Sequence, residues 1–457
     1  MPEIQAQDEE LGGASADKET EFSNNLRDPR NDAHGHLGTE EAFFRFCLHS
    51  LCGRRRGQPG DKKWVEVLEA KGCRCCFLAG KLDTPPESSM LVPEAFFRHE
   101  AIEEINEALF ARKERTPGVS ERVGQLKKRL KEAVREFHAR FQFDILVVQN
   151  AFAIPMNIPL GLALAEFVAE TRIPTIAHDH DFYWERQRFL SPAALDYLCA
   201  AFPPVHPAIR HVVINSIAGR ELSYRTGAAW TLIPNVLDFK TLPPEIDDYT
   251  RDFRKEIGLS EEALLVLQPT RVVSRKGIEA AIELVRRLNM PNASLVITHE
   301  AGDEGLSYLR RIEDYARFMG VDLRLIADRV GLERGFNKEG KKVYTLWDVY
   351  PHADLVTYPS AYEGYGNAFV EAVYFRKPVV VNRYAIFEAD IEPKGFDVVA
   401  FDSYVTEETL RQVHDILRNP KRREEMAEKN YMLGWRYLSY EMLEEKLESI
   451  LTDIYGS

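Results

Sequence analysis

Short apolar runs alternate with amphipathic stretches over most of this chain, from about residue 64 onward. VEVLEAKG followed by CRCCFLAG reads as a helix end and then a strand. A charged stretch at 121–141, ERVGQLKKRLKEAVREFHARF, predicts a long helix. After it come DILVVQN (144–150), IPTIAHD (173–179), HVVINS (211–216) and WTLIPN (230–235), each set off by helical sequence. Strands of that length, separated by helices, specify a parallel sheet covered on both faces. A second series follows: ALLVLQPT (263–270), SLVITH (294–299), DLRLIAD (322–328), DLVTYPS (354–360) and PVVVNR (378–383). Between the two, DFKTLPPEIDDYT (238–250) breaks the pattern with adjacent prolines and acidic residues, as an interdomain connection does.

The expected architecture is therefore α/β, two doubly wound Rossmann-like domains in succession. A ligand cleft lies between them, at the carboxyl ends of both sets of strands. Residues 1–40 are polar and acidic without periodicity and predict a disordered extension. The first domain is expected over 41–237, the second over 238–430, and a C-terminal helix over 431–457 crosses back to the first. The beginning of the first domain is irregular. AFFRFCLHSLC runs straight into GRRRGQPGDKK, which predicts a loop or turn, and 43–57 does not form a convincing amphipathic helix.

The 457 residues are too many for one hydrophobic core, which agrees with two domains. A net charge of −13 argues against broad contact with nucleic acid or anionic lipid, because both reward a basic face. Any phosphate binding must come from a few local cations. No apolar run reaches the roughly 18 residues of a transmembrane helix. The start, MPEIQAQDEE, lacks a signal-peptide pattern, so the expected location is cytoplasmic. Six cysteines, Cys47, Cys52, Cys73, Cys75, Cys76 and Cys199, fit reduced thiols in a core; C-x-C-C at 73–76 lacks the paired knuckles of structural zinc.

Two stretches carry chemistry. In YPSAYEGYGNAFVE (358–371) a strand ends near Ser360, a loop holds Gly364, Tyr365 and Gly366, and a helix begins near Asn367. Glycines there let backbone N–H groups approach an anion, and the helix start adds its positive end; a diphosphate is the expected guest. Glu363 is placed for sugar hydroxyls and Glu371 for a ribose. The same pattern also fits a strand–turn–helix corner whose glycines only permit tight packing. In QPTRVVSRKG (268–277), Arg271, Arg275 and Lys276 precede the apolar-periodic helix IEAAIELVRRL. Cations at a helix start oppose its dipole unless an anion sits between, and Arg271 with Lys276 would neutralise a leaving diphosphate. A solvated basic turn is the alternative.

Taken together, these stretches resemble the retaining glycosyltransferases of family four, which have the GT-B fold. Their pattern is an Arg, a Lys-Gly five to six residues on, then E-G-(F/Y)-G and a second Glu. This sequence has Arg271, Lys276-Gly277, Glu363-Gly364-Tyr365-Gly366 and Glu371 in that order. The resemblance is specific over about 264–383 and looser over 144–235. It implies that Arg271 and Lys276 bind the diphosphate of a GDP- or UDP-linked sugar, that Glu363 contacts the transferred sugar and that Glu371 holds the ribose. It implies a retaining transfer to a hydroxyl acceptor with no metal or other cofactor required; the acidic charge and the lack of a basic amphipathic helix favour a soluble acceptor.

Members also carry a His where AHDHDFYWER (177–186) follows a strand, facing the donor sugar and the acceptor. His180 matches best, with His178 the alternative, and Trp184 and Arg186 are placed to bind sugar by stacking and hydrogen bonds. Two other readings stay open: Asp179-x-Asp181 as a D-x-D metal motif, or polar residues capping a helix at 181–190. Members open with a strand, a Gly-Gly loop and a long helix. The place for that loop here is His36-Leu37-Gly38, without paired glycines and with no strand visible before it. The competing class is accordingly a catalytically weak or silent nucleotide-sugar-binding protein on the same fold. An epimerase or phosphorylase is remoter, since no Lys context suggests a pyridoxal site.

Overall fold

Buried parallel strands need both faces covered, and the helical stretches between the apolar runs provide the cover. The computed structural model describes residues 45–50, 59–301 and 306–456, with side chains from residue 62 onward. The first sheet comprises β1 (Arg45–Ser50), β2 (Arg74–Ala79), β3 (Ser89–Leu91), β4 (Ile145–Gln149), β5 (Thr175–Asp179), β6 (Ile209–Val213) and β7 (Trp230–Leu232). Their spatial order is β3-β2-β1-β4-β5-β6-β7, with parallel pairing throughout. β4 and β5 are buried at every position. The helix Val119–Phe141 lays Leu130, Val134 and Phe137 against Leu160, Leu164 and Phe167 of the helix Ile158–Thr171 over one face. Lys131 fixes that pair at its solvent edge through Glu166 (2.8 Å) and Glu170 (2.9 Å).

The second sheet begins with β8 (Leu264–Gln268), β9 (Ala293–Ile297) and β10 (Asp322–Leu325). A small sheet of β11 (Val330–Gly331), β12 (Gly335–Phe336) and β13 (Lys342–Thr345) interrupts it, and β14 (Leu355–Tyr358), β15 (Val379–Asn382) and β16 (Val399–Phe401) complete it. The order β10-β9-β8-β14-β15-β16 is again all parallel. In each sheet the order reverses direction once, between β1 and β4 and between β8 and β14. Loops leave the carboxyl ends of adjacent strands in opposite senses at such a point and open a crevice. The crevice between β8 and β14 is bounded by the loops 269–277 and 359–366, which are the two stretches singled out in the sequence.

The start of the first sheet requires a correction. A strand exists, β1, and it is central, with Phe46 opposite Ile145 and Cys47 opposite Cys76. The sequence RFCLHS hides it, because Arg45, His49 and Ser50 interrupt the apolar run that marks the other strands. The helix Pro59–Ala70 follows it. The sequence between β1 and that helix, 51–58, and the place expected for the loop, His36–Gly38, both lie outside the described residues, as does the extension 1–40. The irregular start was the observation that favoured a silent protein, and β1 removes much of it. β3, β16 and the small sheet are also absent from the sequence reading, each being only two to four residues long. At 181–190 there are 3₁₀ turns, Tyr183–Glu185 and Gln187–Phe189, rather than a capped α-helix.

The tail forms two helices. Pro420–Leu438 packs Tyr431 and Leu438 against Phe239 and Tyr374 beside the second sheet. Tyr440–Tyr455 places Leu443, Leu447 and Ile450 against Trp64, Leu68, Ile145 and Val147 of the first. Among the described residues no helix is long and apolar enough to cross a membrane.

Candidate functional site

Two glycines shape the floor of the crevice. Gly277 caps the helix Ile278–Leu288 with φ +61°, and a Cβ there would lie 2.2 Å from the Pro359 carbonyl oxygen. The loops after β8 and β14 touch at that point. Gly366 caps the helix Asn367–Tyr374 with φ +107°, where a Cβ would meet the Tyr384 and Tyr358 hydroxyls at 2.8 and 2.9 Å. A side chain at Gly366 must therefore accept strained backbone and displace two buried tyrosines. Gly366→Ala is expected to cost about 1–3 kcal/mol of stability, read as a lowered Tm, and to weaken nucleoside diphosphate binding. An unchanged Tm would show the loop to be freely adjustable.

The basic loop is not a solvated turn. Lys276 is only 8% exposed, and its ammonium is ion-paired with Glu363, itself 7% exposed. Burial lowers the Lys276 pKa; Glu363 opposes that shift, and Arg275 and Arg271 add to it. Arg275 donates to the Tyr362 carbonyl (3.1 Å) and to Glu363 (3.3 Å). Arg271 is exposed and pairs with nothing among the described residues. His299, two residues beyond β9, belongs to the same group: burial lowers its pKa, and Lys276 and Arg271 lower it further. Four basic side chains thus crowd one corner, with Glu363 paired to two of them, Lys276 and Arg275. The sequence reading missed His299, although the rule that ligands sit at carboxyl strand ends would have found it.

From the other loop, Tyr365 turns its ring into the core and leaves only its backbone to the crevice. Asn367 is exposed at the helix start and accepts from Asn235 (2.6 Å). Glu371, one turn on, accepts from the buried Tyr350 hydroxyl at 2.8 Å through Oε2. Burial raises its pKa; Tyr350 and the nearby Lys63 oppose the shift. Lys63, on the helix after β1, has its pKa lowered to about 8 by burial, with Glu371 opposing. Neither Tyr350 nor Lys63 belongs to a sequence motif, since topology alone brings them to Glu371.

The first sheet supplies the facing wall. Asn215, just after β6, donates to the Gly364 carbonyl at 2.9 Å, and Tyr362 donates to Glu185 at 2.6 Å. A Cβ at Gly364 would lie 3.9 Å from the His180 carbonyl oxygen, so His180 sits beside the glycine loop. His178 is buried, stacked on Trp64 with ring centroids 4.4 Å apart and bonded to Gln149 at 2.6 Å. Burial keeps it neutral, with a pKa well below the ordinary value. His180 Nε2, in contrast, has no hydrogen-bond partner among the described residues. That nitrogen is itself buried.

The D-x-D reading does not match the geometry. Asp179 is fully buried and bonds His211 at 2.9 Å, while Asp181 pairs with Arg186. The two carboxylates are committed to separate side chains rather than to one shared point. Trp184 and Arg186 are likewise engaged, Trp184 stacked on Phe182 at 4.6 Å with Arg225 over its ring at 4.9 Å. Among the cysteines, Cys76 is buried, and Cys73 and Cys75 pack against the cluster that contains Trp64.

Residues 250–432 match the family described as glycosyl transferases group 1. The chain is 30% identical over 374 residues to mannosylglucosylglycerate synthase of Petrotoga mobilis, a match covering 75% of this chain and 82% of that protein. It is 28% identical over 423 residues to the protein of the same name from Thermotoga maritima, covering 84% and 94%. Among solved structures, sucrose-phosphate synthase of Thermosynechococcus elongatus superposes with a TM-score of 0.61 at 15% identity, covering 90% of this chain and 99% of that one. HepE of Anabaena in complex with UDP and glucose superposes at 0.60 with 14% identity, covering 90% and 100%. Identities that low speak for the fold alone, which is GT-B.

Proposed function

The chain belongs to the glycosyl transferases group 1 family, and from that premise we propose that it is a retaining enzyme of family four. It moves a hexosyl group from a GDP- or UDP-linked sugar to a hydroxyl of a small, soluble acceptor. Relatives named for mannosylglucosylglycerate support a mannosyl donor and an acceptor of the glucosylglycerate kind, a glycoside bearing a carboxylate. The observation that carries the reading is the corner where β8 and β14 diverge: exposed, unpaired Arg271, buried Lys276, and the start of the helix Asn367–Tyr374.

A diphosphate in that corner is neutralised by Arg271 and Lys276 and accepts from the amides at the helix start. The same cations stabilise charge on the departing diphosphate as the glycosidic bond breaks. They do there what a divalent ion does in other transferases, so no metal is required. Glu363 holds the transferred sugar and Glu371 the ribose. His180 bonds the donor sugar near the incoming hydroxyl.

The test is incubation with GDP-mannose or UDP-linked hexoses and glucosylglycerate, with and without chelator, followed by NMR of the product. Transfer with the anomeric configuration of the donor is expected, at a rate chelator leaves unchanged. An inverted product would end the retaining assignment, and dependence on Mg²⁺ or Mn²⁺ would end the metal-free one. Nucleoside diphosphate binding without transfer to any acceptor would return the silent reading. Nucleoside diphosphate alone is expected to raise the Tm, because it binds only the folded state.

A further inference from the structure

Where β6 of the first domain gives way to the helix Ser216–Thr226, three consecutive residues touch the second domain. Ile214 packs on the glycine loop, where a Cβ at Gly364 would lie 3.3 Å from its Cδ1. Asn215 donates through Nδ2 to the Gly364 carbonyl at 2.9 Å. The Ser216 N–H donates to the Asp390 carboxylate at 2.6 Å, so the second domain supplies an acceptor to the start of a first-domain helix. Asn215 and Asp390 are both buried.

Asn215 has two partners at once. Its Oδ1 accepts from the Ala218 N–H at 2.8 Å and caps the helix. Asp, Ser and Thr cap helices in the same way, but of these residue types only Asn carries an acceptor and a donor on separate atoms. The cap alone would accept any of the four. The bond to Gly364 is what requires Asn.

Peptide geometry carries that bond into the loop. In a planar trans peptide the C=O and the following N–H point in opposite directions. Asn215 draws the Gly364 carbonyl toward the first domain, so the Tyr365 N–H points away from it. Tyr384, just after β15, donates to the Tyr365 carbonyl at 2.8 Å and fixes the Gly366 N–H in the same manner. Neither amide has a hydrogen-bond partner among the described residues. Gly366 is left-handed, a conformation in which successive N–H groups form a hollow for an anion. Two consecutive carbonyls are thus held by side chains while the two amides that follow them stay open.

We propose that Asn215 is a positioning residue for the donor diphosphate. It anchors the Gly364 carbonyl so that the Tyr365 amide, beside the Gly366 amide held by Tyr384, is directed at the phosphate. The inference rests on the donor reading of the crevice and adds a condition to it. Arg271 and Lys276 bring charge from the second domain alone, whereas the direction of the amides depends on a side chain of the first. The diphosphate site is therefore complete only with the first domain seated against the glycine loop.

Calorimetry of the full chain with GDP and UDP, and with guanosine and uridine by competition, tests this in the wild type, Asn215→Ser, Asn215→Ala and Tyr384→Phe. Serine keeps an acceptor for the Ala218 N–H but is too short to reach Gly364, and alanine loses both contacts. The Tm is therefore expected to fall further in Asn215→Ala than in Asn215→Ser, while nucleoside diphosphate affinity falls about tenfold in both. Nucleoside affinity should not change in either, since base and ribose do not meet these amides. Tyr384→Phe keeps the ring and loses only the hydroxyl, and it should show the same selective loss. Wild-type diphosphate affinity in Asn215→Ser, or equal losses for nucleoside and nucleoside diphosphate, would overturn the proposal and leave the donor reading standing. A wild type that binds neither GDP nor UDP would end the donor reading and this inference with it.

Discussion

Lys276→Ala is expected to lower turnover of the donor by about a hundredfold or more, the usual loss when one preorganised electrostatic stabiliser is removed. In a solvated turn the folding cost would be small. In this structure Lys276 is buried and neutralises a buried Glu363, so the change leaves that carboxylate with Arg275 at 3.3 Å as its remaining ion-pair partner. Breaking a buried pair from one side costs about 3–5 kcal/mol, and Arg275 keeps the figure near the lower end. The Tm should fall together with turnover. Adding Glu363→Gln to Lys276→Ala removes the stranded charge, so the double variant should recover most of the Tm and none of the turnover. Recovery of both, or a single variant with near-normal turnover, would show the lysine to be structural only.

The pH profile gives a second readout of the same group. Burial lowers the Lys276 pKa, so in the free enzyme the ammonium is lost at lower pH than for an ordinary lysine. Since kcat/KM follows the free enzyme, its alkaline limb should fall earlier than an ordinary lysine would allow. Lys276→Arg, whose cation does not titrate in this range, should move that limb to higher pH.

The second sheet was legible in the sequence because each of its long strands is a near-continuous apolar run. Its candidate site was legible because topology places adjacent loops, 269–277 and 359–366, at one switch point. What stayed hidden had identifiable physical causes. β1 carries Arg45, His49 and Ser50, so the apolar run that marks its neighbours is broken. Lys276 looks like a surface residue in a basic loop, and only the fold brings Glu363, 87 positions away, to bury it. Asp179 and Asp181 form a motif on paper, but the His211 side chain of the neighbouring strand bonds one and a turn places Arg186 beside the other. His299 and Tyr350 belong to no motif and enter the site through packing alone.

In the proposed roles the two glutamates separate donor binding from chemistry, and their surroundings sharpen what each variant should do. Glu371 has one oxygen engaged by Tyr350, and its other oxygen is the one available to a ribose hydroxyl. Glu371→Ala should therefore weaken nucleoside diphosphate binding itself, since the ribose is present with or without the sugar. A hydrogen bond to a charged group contributes about 1.5–3 kcal/mol, which is an order of magnitude or more in affinity. Burial raises the Glu371 pKa, so the carboxylate takes up a proton at higher pH than usual. Affinity should accordingly fall as pH drops through that raised value, and Glu371→Gln should flatten the dependence. Glu363 behaves differently, because its carboxylate competes with a diphosphate for Lys276. Glu363→Gln frees that cation, so nucleoside diphosphate affinity should stay normal or rise. Turnover of the intact donor should drop, because the sugar is no longer held for attack. Calorimetry with the nucleoside diphosphate on both variants, read beside donor turnover, decides the matter. Equal losses of affinity in the two would mean that the carboxylates serve other parts of the donor than those assigned to them.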